Sequence, residues 1–142
     1  MNDIDISGFK DIYPFESRFL KIEDLNGGGY GYHYIDEGEG EAVVMLHGNP
    51  TWSFYYRNLV TALKQAGYRA IAVDHIGCGL SDKPQDYEYT LEKHISNFEY
   101  FIEKKGLKNV TLVVHDWGGA IGMGYAVRHP ENVKKIIVFN TA

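Results

Sequence analysis

The sequence predicts an α/β protein: a mostly parallel sheet of six strands with three helices, opened by an antiparallel hairpin. Two observations carry this expectation. From residue 42 onward, short continuous apolar runs alternate with segments whose apolar residues recur every three or four positions, the pattern of parallel strands covered by crossover helices. Ahead of residue 42, two aromatic and β-branched runs flank a glycine cluster, the pattern of two strands joined by a turn.

Each element has its own local signal. Residues 1–18 are mixed and read as irregular. Phe19 to Ile22 and Tyr30 to Ile35 are the hairpin strands, with Asn26 and Gly27 to Gly29 as the turn. Ala42 to Leu46 is the first parallel strand. Trp52, Tyr56, Leu59, Leu63 and Ala66 then share one helical face, closed by Gly67. Ala70 to Val73 is a strand, followed by a loop over Gly77 to Pro84. Leu91, Ile95, Phe98 and Ile102 mark the second helix, with Thr90 as its N-cap and Gly106 as its stop. Val110 to Val114 is a strand, and Gly118 to Arg128 is small and apolar nearly all round, as in a buried helix punctuated by Pro130. Val133 to Phe139 supplies a last strand, read as buried. A crossover helix ordinarily covers such a strand, so the sequence reads as the front part of a larger domain.

Composition narrows the function classes. With 142 residues, 44% hydrophobic and 23% charged, the chain falls within one globular domain. Lys and Arg number 14 against 19 Asp and Glu, a net charge of -5 that offers no basic surface to nucleic acid. A single cysteine, Cys78, and no basic-then-apolar leader fit a reducing cytoplasm. No apolar run approaches the roughly 20 residues needed to span a membrane.

In open parallel sheets, ligands bind beyond the carboxyl ends of the strands, which directs attention to His47–Pro50, Asp74–Asp82, His115–Gly119 and Asn140. Asp116 stands between a strand and a helix, where a sharp turn of small residues projects one side chain into a site. An Asp there is ionised at neutral pH and attacks a saturated carbon bearing a leaving group without needing a base. The plainer reading is a helix N-cap. Asn49 and Trp117 bring backbone N–H groups for a developing oxyanion and, from their side chains, an amide and an indole N–H for a departing anion. Singly, they read as a turn residue and a packed indole. His47, His75 and His115 beside Asp74 and Asp116 raise the rival of a metal site. Gly77-Cys78-Gly79 lacks the third glycine and the following helix of a dinucleotide fingerprint, and reads as a turn.

Three segments, HGNPTWSFYYR (His47 to Arg57), DHIGCGLSDKP (Asp74 to Pro84) and VVHDWGG (Val113 to Gly119), resemble the haloalkane dehalogenase branch of the α/β-hydrolases, over nearly the whole chain from Tyr13 onward. The resemblance implies a partial α/β-hydrolase fold, with residues 1–142 as the N-terminal portion of one domain and the C-terminal part and cap beyond it. It implies Asp116 as nucleophile, Asn49 and Trp117 as oxyanion hole and halide-binding pair, no cofactor and no metal. The implied substrate is small and hydrophobic, a haloalkane. A related branch uses the same constellation as a β-lactone decarboxylase in olefin biosynthesis, and Tyr13-Pro14-Phe15 is similar to that branch too. Epoxide hydrolases share the Asp nucleophile but usually carry an aromatic residue where Asn49 stands.

The departure lies downstream of Asp116. Only His129 and Glu131 follow it as candidate base and acid, and His129 lies about 13 residues along the helix, roughly 19 Å away. It reads instead as a helix C-terminal residue facing the dipole. In one subgroup the carboxylate follows the next strand, where this sequence has Asn140. The expectation is a nucleophile half without its base, inactive alone.

Overall fold

The computed structural model describes residues 4–24 and 27–141. Among them a six-stranded sheet runs in the order β1-β2-β4-β3-β5-β6. The strands are β1 (Arg18–Glu23), β2 (Gly29–Glu37), β3 (Ala42–Leu46), β4 (Arg69–Val73), β5 (Val110–His115) and β6 (Val133–Phe139). The helices are α1 (Arg57–Gln65), α2 (Leu91–Lys104) and α3 (Trp117–Arg128). β1 and β2 form the expected antiparallel hairpin, and β2 is also antiparallel to β4. From β4 through β3 and β5 to β6 every pairing is parallel. Asn26, assigned to the hairpin turn by sequence, lies outside the described residues.

Side chains along the central strands alternate between two cores. Val44, Leu46, Leu112 and Val114 face α2 and α3, meeting Phe98, Phe101, Ile121 and Tyr125. Val43, Met45 and Val113 face the other way, toward Tyr56, Val60 and Tyr13. Strands buried on both faces explain why they read as unbroken apolar runs. Thr90 caps α2 as expected, its Oγ1 accepting from Lys93 N at 3.2 Å.

Four local readings change. Residues 1–18 include a 3-10 turn at Ser7–Phe9, and Tyr13 is buried, its hydroxyl 2.7 Å from Ser53 Oγ. The first helix begins at Arg57 rather than near Trp52, after a 3-10 turn over Ser53–Tyr56 whose leading N–H, that of Ser53, donates to Asp74 Oδ1 at 2.6 Å. The α3 helix is buried on one side only: Gly118, Gly122 and Tyr125 are covered, whereas Val127 is 82% exposed. The β6 strand, read as buried, is largely open, with Ile137, Val138 and Phe139 each 44–50% exposed. It lies at the edge of the sheet, paired only with β5, so the apolar pattern in the sequence has no covering element among the described residues.

Asp74, at the end of β4, knits these layers. Fully buried, it meets His33 Nδ1 of β2 at 2.8 Å and accepts from the backbone N–H groups of Ser53 and Leu80 at 2.6 and 2.9 Å. Burial opposes its ionisation, but the His33 contact, the nearby His47 and the Leu80 N–H outweigh it and hold the carboxyl below its ordinary value.

Two expectations follow. The exposed apolar side chains of α3 and β6 should make the 142-residue chain self-associate as concentration rises, measured by size exclusion with light scattering. Val127→Lys with Val138→Lys should shift it toward monomer, and a monodisperse wild-type monomer with a sharp melt would count against this. In that lysine background, Asp74→Asn should cost about 1–3 kcal/mol in urea unfolding, because an amide cannot accept from all the buried donors that converge on the carboxylate. Because the folded carboxyl titrates below 3.8, its stabilisation is complete above that pH and lost as pH falls through the lower folded value, so the Asn variant should lose that acid-side slope.

Candidate active site

The loops after β3, β4, β5 and β6 come together at the carboxyl edge of the parallel strands. The first is a tight turn in which Thr51 N donates to Gly48 O at 3.1 Å. His47 shapes it from below. Its Nε2 accepts from His75 N at 3.0 Å, so its Nδ1 carries the proton and donates to Gly48 O at 2.7 Å. His75 Nε2 in turn donates to His47 O at 3.1 Å. Burial pushes both imidazoles down toward the neutral form, His75 furthest. Both histidines therefore support the loop. His115 is stacked on Tyr55, with ring centroids 4.6 Å apart, and Asp74 is occupied by His33. Among the described residues no three His, Cys, Asp or Glu side chains gather in a metal-holding arrangement.

Asp116 is the exposed tip of the β5–α3 turn, at φ 51° and ψ −125°, a conformation that L-residues adopt only when their surroundings impose it. Gly48 faces it so closely that a Cβ there would stand 2.7 Å from Asp116 Oδ1. That approach brings Asn49 N within 2.8 Å of Oδ1, and the Trp117 N–H lies near enough to the carboxylate to favour its charged form. The Asn49 N–H first, then that of Trp117, holds the carboxyl below the ordinary Asp range. No side-chain cap bond forms from Asp116 to the helix, which sets aside the N-cap reading.

Beside Asp116 opens a cavity of about 560 Å³ whose lining includes Asn49, Trp117, Ile121, Leu91, Tyr89 and His94. The three residues singled out by sequence thus come together: Asn49 and Trp117 line the cavity, and Asp116 adjoins both, its Oδ1 accepting from Asn49 N at 2.8 Å. The other two downstream candidates do not join them. His129 follows α3 and is engaged by Glu99 of α2, with Glu131 at 3.5 Å, rather than serving the helix dipole alone. Asn140 is exposed at φ 36° and carries an amide. Sequence reading missed His33, whose signal was a single imidazole in an aromatic strand, and Thr141, whose hydroxyl donates to Asp116 O at 2.6 Å and which no local pattern marks.

Residues 41–141 match the family model described as alpha/beta hydrolase fold. The chain belongs to that family. It is 55% identical over 133 residues to a cis-3-alkyl-4-alkyloxetan-2-one decarboxylase of Shewanella oneidensis, covering 92% of this chain and 40% of the relative. It is 38% identical over 138 residues to haloalkane dehalogenase 2 of Mycobacterium tuberculosis, covering 97% and 46%. The structure of a haloalkane dehalogenase from Paraglaciecola agarilytica superposes with a TM-score of 0.83 at 37% identity, over 92% of this chain and 45% of that one. The chain therefore spans less than half the length of these relatives, and its six-stranded sheet with three helices is a partial α/β-hydrolase fold.

The two backbone donors set a measurable property of Asp116. Its side-chain carboxyl, followed by carbon-13 NMR, should titrate with a midpoint below 3.8, so that it is fully ionised across the neutral range. A midpoint at or above that value would remove Asn49 and Trp117 as its ligands.

Proposed function

We propose that this chain is the nucleophile-bearing part of an Asp-dependent α/β-hydrolase, acting on a β-lactone in the manner its 55% identical relative is named for. The observation that carries the reading is the Asp116 carboxylate, ionised, projecting from a strained turn and held at 2.8 Å by the Asn49 N–H. An ionised carboxylate attacks saturated carbon directly. In an oxetan-2-one the target is the ring carbon bonded to oxygen. Attack there forms an Asp116–carbon ester bond, breaks the ring C–O bond and leaves the electron pair on a free carboxylate. Loss of CO₂ from that intermediate moves its C–C pair into a new double bond and expels Asp116 as carboxylate. The balance is lactone to alkene plus CO₂, with no water consumed and no base required.

A second reading, a haloalkane dehalogenase, is favoured by Asn49 and Trp117 both lining the cavity, since their side chains carry an amide and an indole N–H. There the same attack expels a halide, which those groups hold, and the ester carbonyl is then hydrolysed with a base. Within the described residues His129 does not reach it, being engaged by Glu99. The substrate in either case is small and hydrophobic, and the chemistry calls for neither cofactor nor metal.

Oxygen labelling separates the two in the full-length protein. In ¹⁸O-water, turnover of a long-chain β-lactone should release alkene and CO₂ and leave Asp116 unlabelled, whereas haloalkane hydrolysis writes ¹⁸O into its carboxylate. Fast dehalogenation, with tryptophan fluorescence responding to bromide and that response weakened about ten- to a hundredfold by Trp117→Phe, would move the assignment to the dehalogenase. Neither activity, or activity undiminished in Asp116→Ala, would refute both. The isolated 142-residue chain should show no sustained halide release above an Asp116→Ala control.

A further inference from the structure

The Asp116 carbonyl oxygen and the Trp117 N–H are the two ends of one peptide group, and the ends are held by different partners. The N–H faces the Asp116 carboxylate closely enough to favour its charged form. The carbonyl accepts twice, from Thr141 Oγ1 at 2.6 Å and from Gly119 N at 2.9 Å. Gly119 belongs to the first turn of α3, so its bond follows from helix geometry. Thr141 does not. It lies 25 residues away, just past β6, and the chain turns at Asn140 with φ 36° to bring it back over the helix. Its side chain fills the space above Gly119, where a Cβ would meet the Thr141 hydroxyl and methyl, so a residue with any side chain at 119 would displace it.

We infer that Thr141 is a positioning residue for the nucleophile: its hydroxyl fixes the plane of the Asp116–Trp117 peptide and so aims the Trp117 N–H at the reacting carboxylate. A residue at φ 51° has no intrinsic preference for that plane. A turn that relaxed would rotate the carbonyl away from α3 and swing the N–H off the carboxylate in the same motion. A donor on the carbonyl also polarises the peptide, which makes its N–H the stronger donor. When Asp116 becomes an ester, that N–H remains on the carbonyl oxygen, where charge develops in any later attack. The inference rests on Asp116 being the nucleophile, as proposed above.

The test uses the full-length protein with Thr141→Val, which keeps the shape and removes the hydroxyl, and Thr141→Ser, which restores it. Val should lower kcat on the active substrate at least about tenfold with KM nearly unchanged, and Ser should return it to within about threefold of wild type. In parallel, the Trp117 amide proton resonance should move upfield in Val and stay near wild type in Ser. A Val variant with unchanged kcat overturns the positioning role, and an unmoved Trp117 resonance overturns the clamp itself. Should Val fail to fold, Thr141→Ala carries the same two expectations. A wild-type protein inactive on both lactone and haloalkane would defeat the functional reading alone, since the Trp117 resonance still decides whether Thr141 holds the peptide.

Discussion

A buried carboxylate at the end of β4 organises the elements around the candidate site. Asp74 is fully buried, and a lone charge there would be too costly to keep. Its satisfaction forces contacts from three parts of the chain: His33 from β2, Ser53 from the turn before α1, and Leu80 from the long loop after β4. That loop is further pinned by Ser81, whose hydroxyl donates to Asp74 O at 2.6 Å and accepts from His33 N at 2.8 Å. On the far side, His33 Nε2 lies 3.0 Å from Ser17 Oγ, and Ser53 Oγ lies 2.7 Å from the Tyr13 hydroxyl. The N-terminal segment, the turn carrying Trp52 and the lower wall of the cavity thus share one electrostatic centre.

The second constraint is the closeness of two turns. The turn after β3 and the turn after β5 sit on neighbouring parallel strands, with Leu46 paired to Val114, so the residues that follow them are necessarily adjacent. What brings them into hydrogen-bonding range is the missing side chain of Gly48, which lets the Asn49 N–H reach Asp116. The arrangement carries a cost in reactivity. If Asp116 is the nucleophile proposed above, donors that hold it ionised also blunt its attack, and they help only where negative charge develops on the same oxygen later in the reaction.

Most of the fold was legible because its signals are local. β3, β4 and β5 are short apolar runs bounded by loop residues, and Thr90 announces α2 three residues ahead of the N–H it caps. Asp116, Asn49 and Trp117 were legible because each follows a strand that sequence already placed, and the topology then puts them side by side. The contacts that stayed hidden connect residues far apart in the chain. His33 and Asp74 are separated by 41 positions and Thr141 and Asp116 by 25, and neither His33 nor Thr141 stands in a pattern that names its partner. The early start assigned to the first helix differs from the structure because the 3-10 turn over Ser53–Tyr56 leads directly into α1, and apolar spacing does not separate the two. The exposure of β6 was misread because an apolar pattern reports what a strand is built to be packed against, whereas the observed burial reports only the neighbours present.

The two chemistries proposed for this site would diverge only after the first bond is made. Attack by Asp116 is common to both, and so are the backbone donors on its oxygen. A halide leaves as a free anion, so a dehalogenase needs the side-chain N–H groups of Asn49 and Trp117 during the displacement and then a base to bring in water. A β-lactone keeps its leaving carboxylate attached and discards it as CO₂, so the ester is undone from the substrate side and water has no role. The demands on the cavity are accordingly opposite: the dehalogenase must admit one ordered water to the ester, and the decarboxylase gains by excluding it. The lining next to Trp117 already mixes both tendencies, with Ile121 and Leu91 against His94 and Tyr89. On these proposals the reactions are separated by whether water reaches the ester, because the attack by Asp116 and the backbone donors beside it would be common to both.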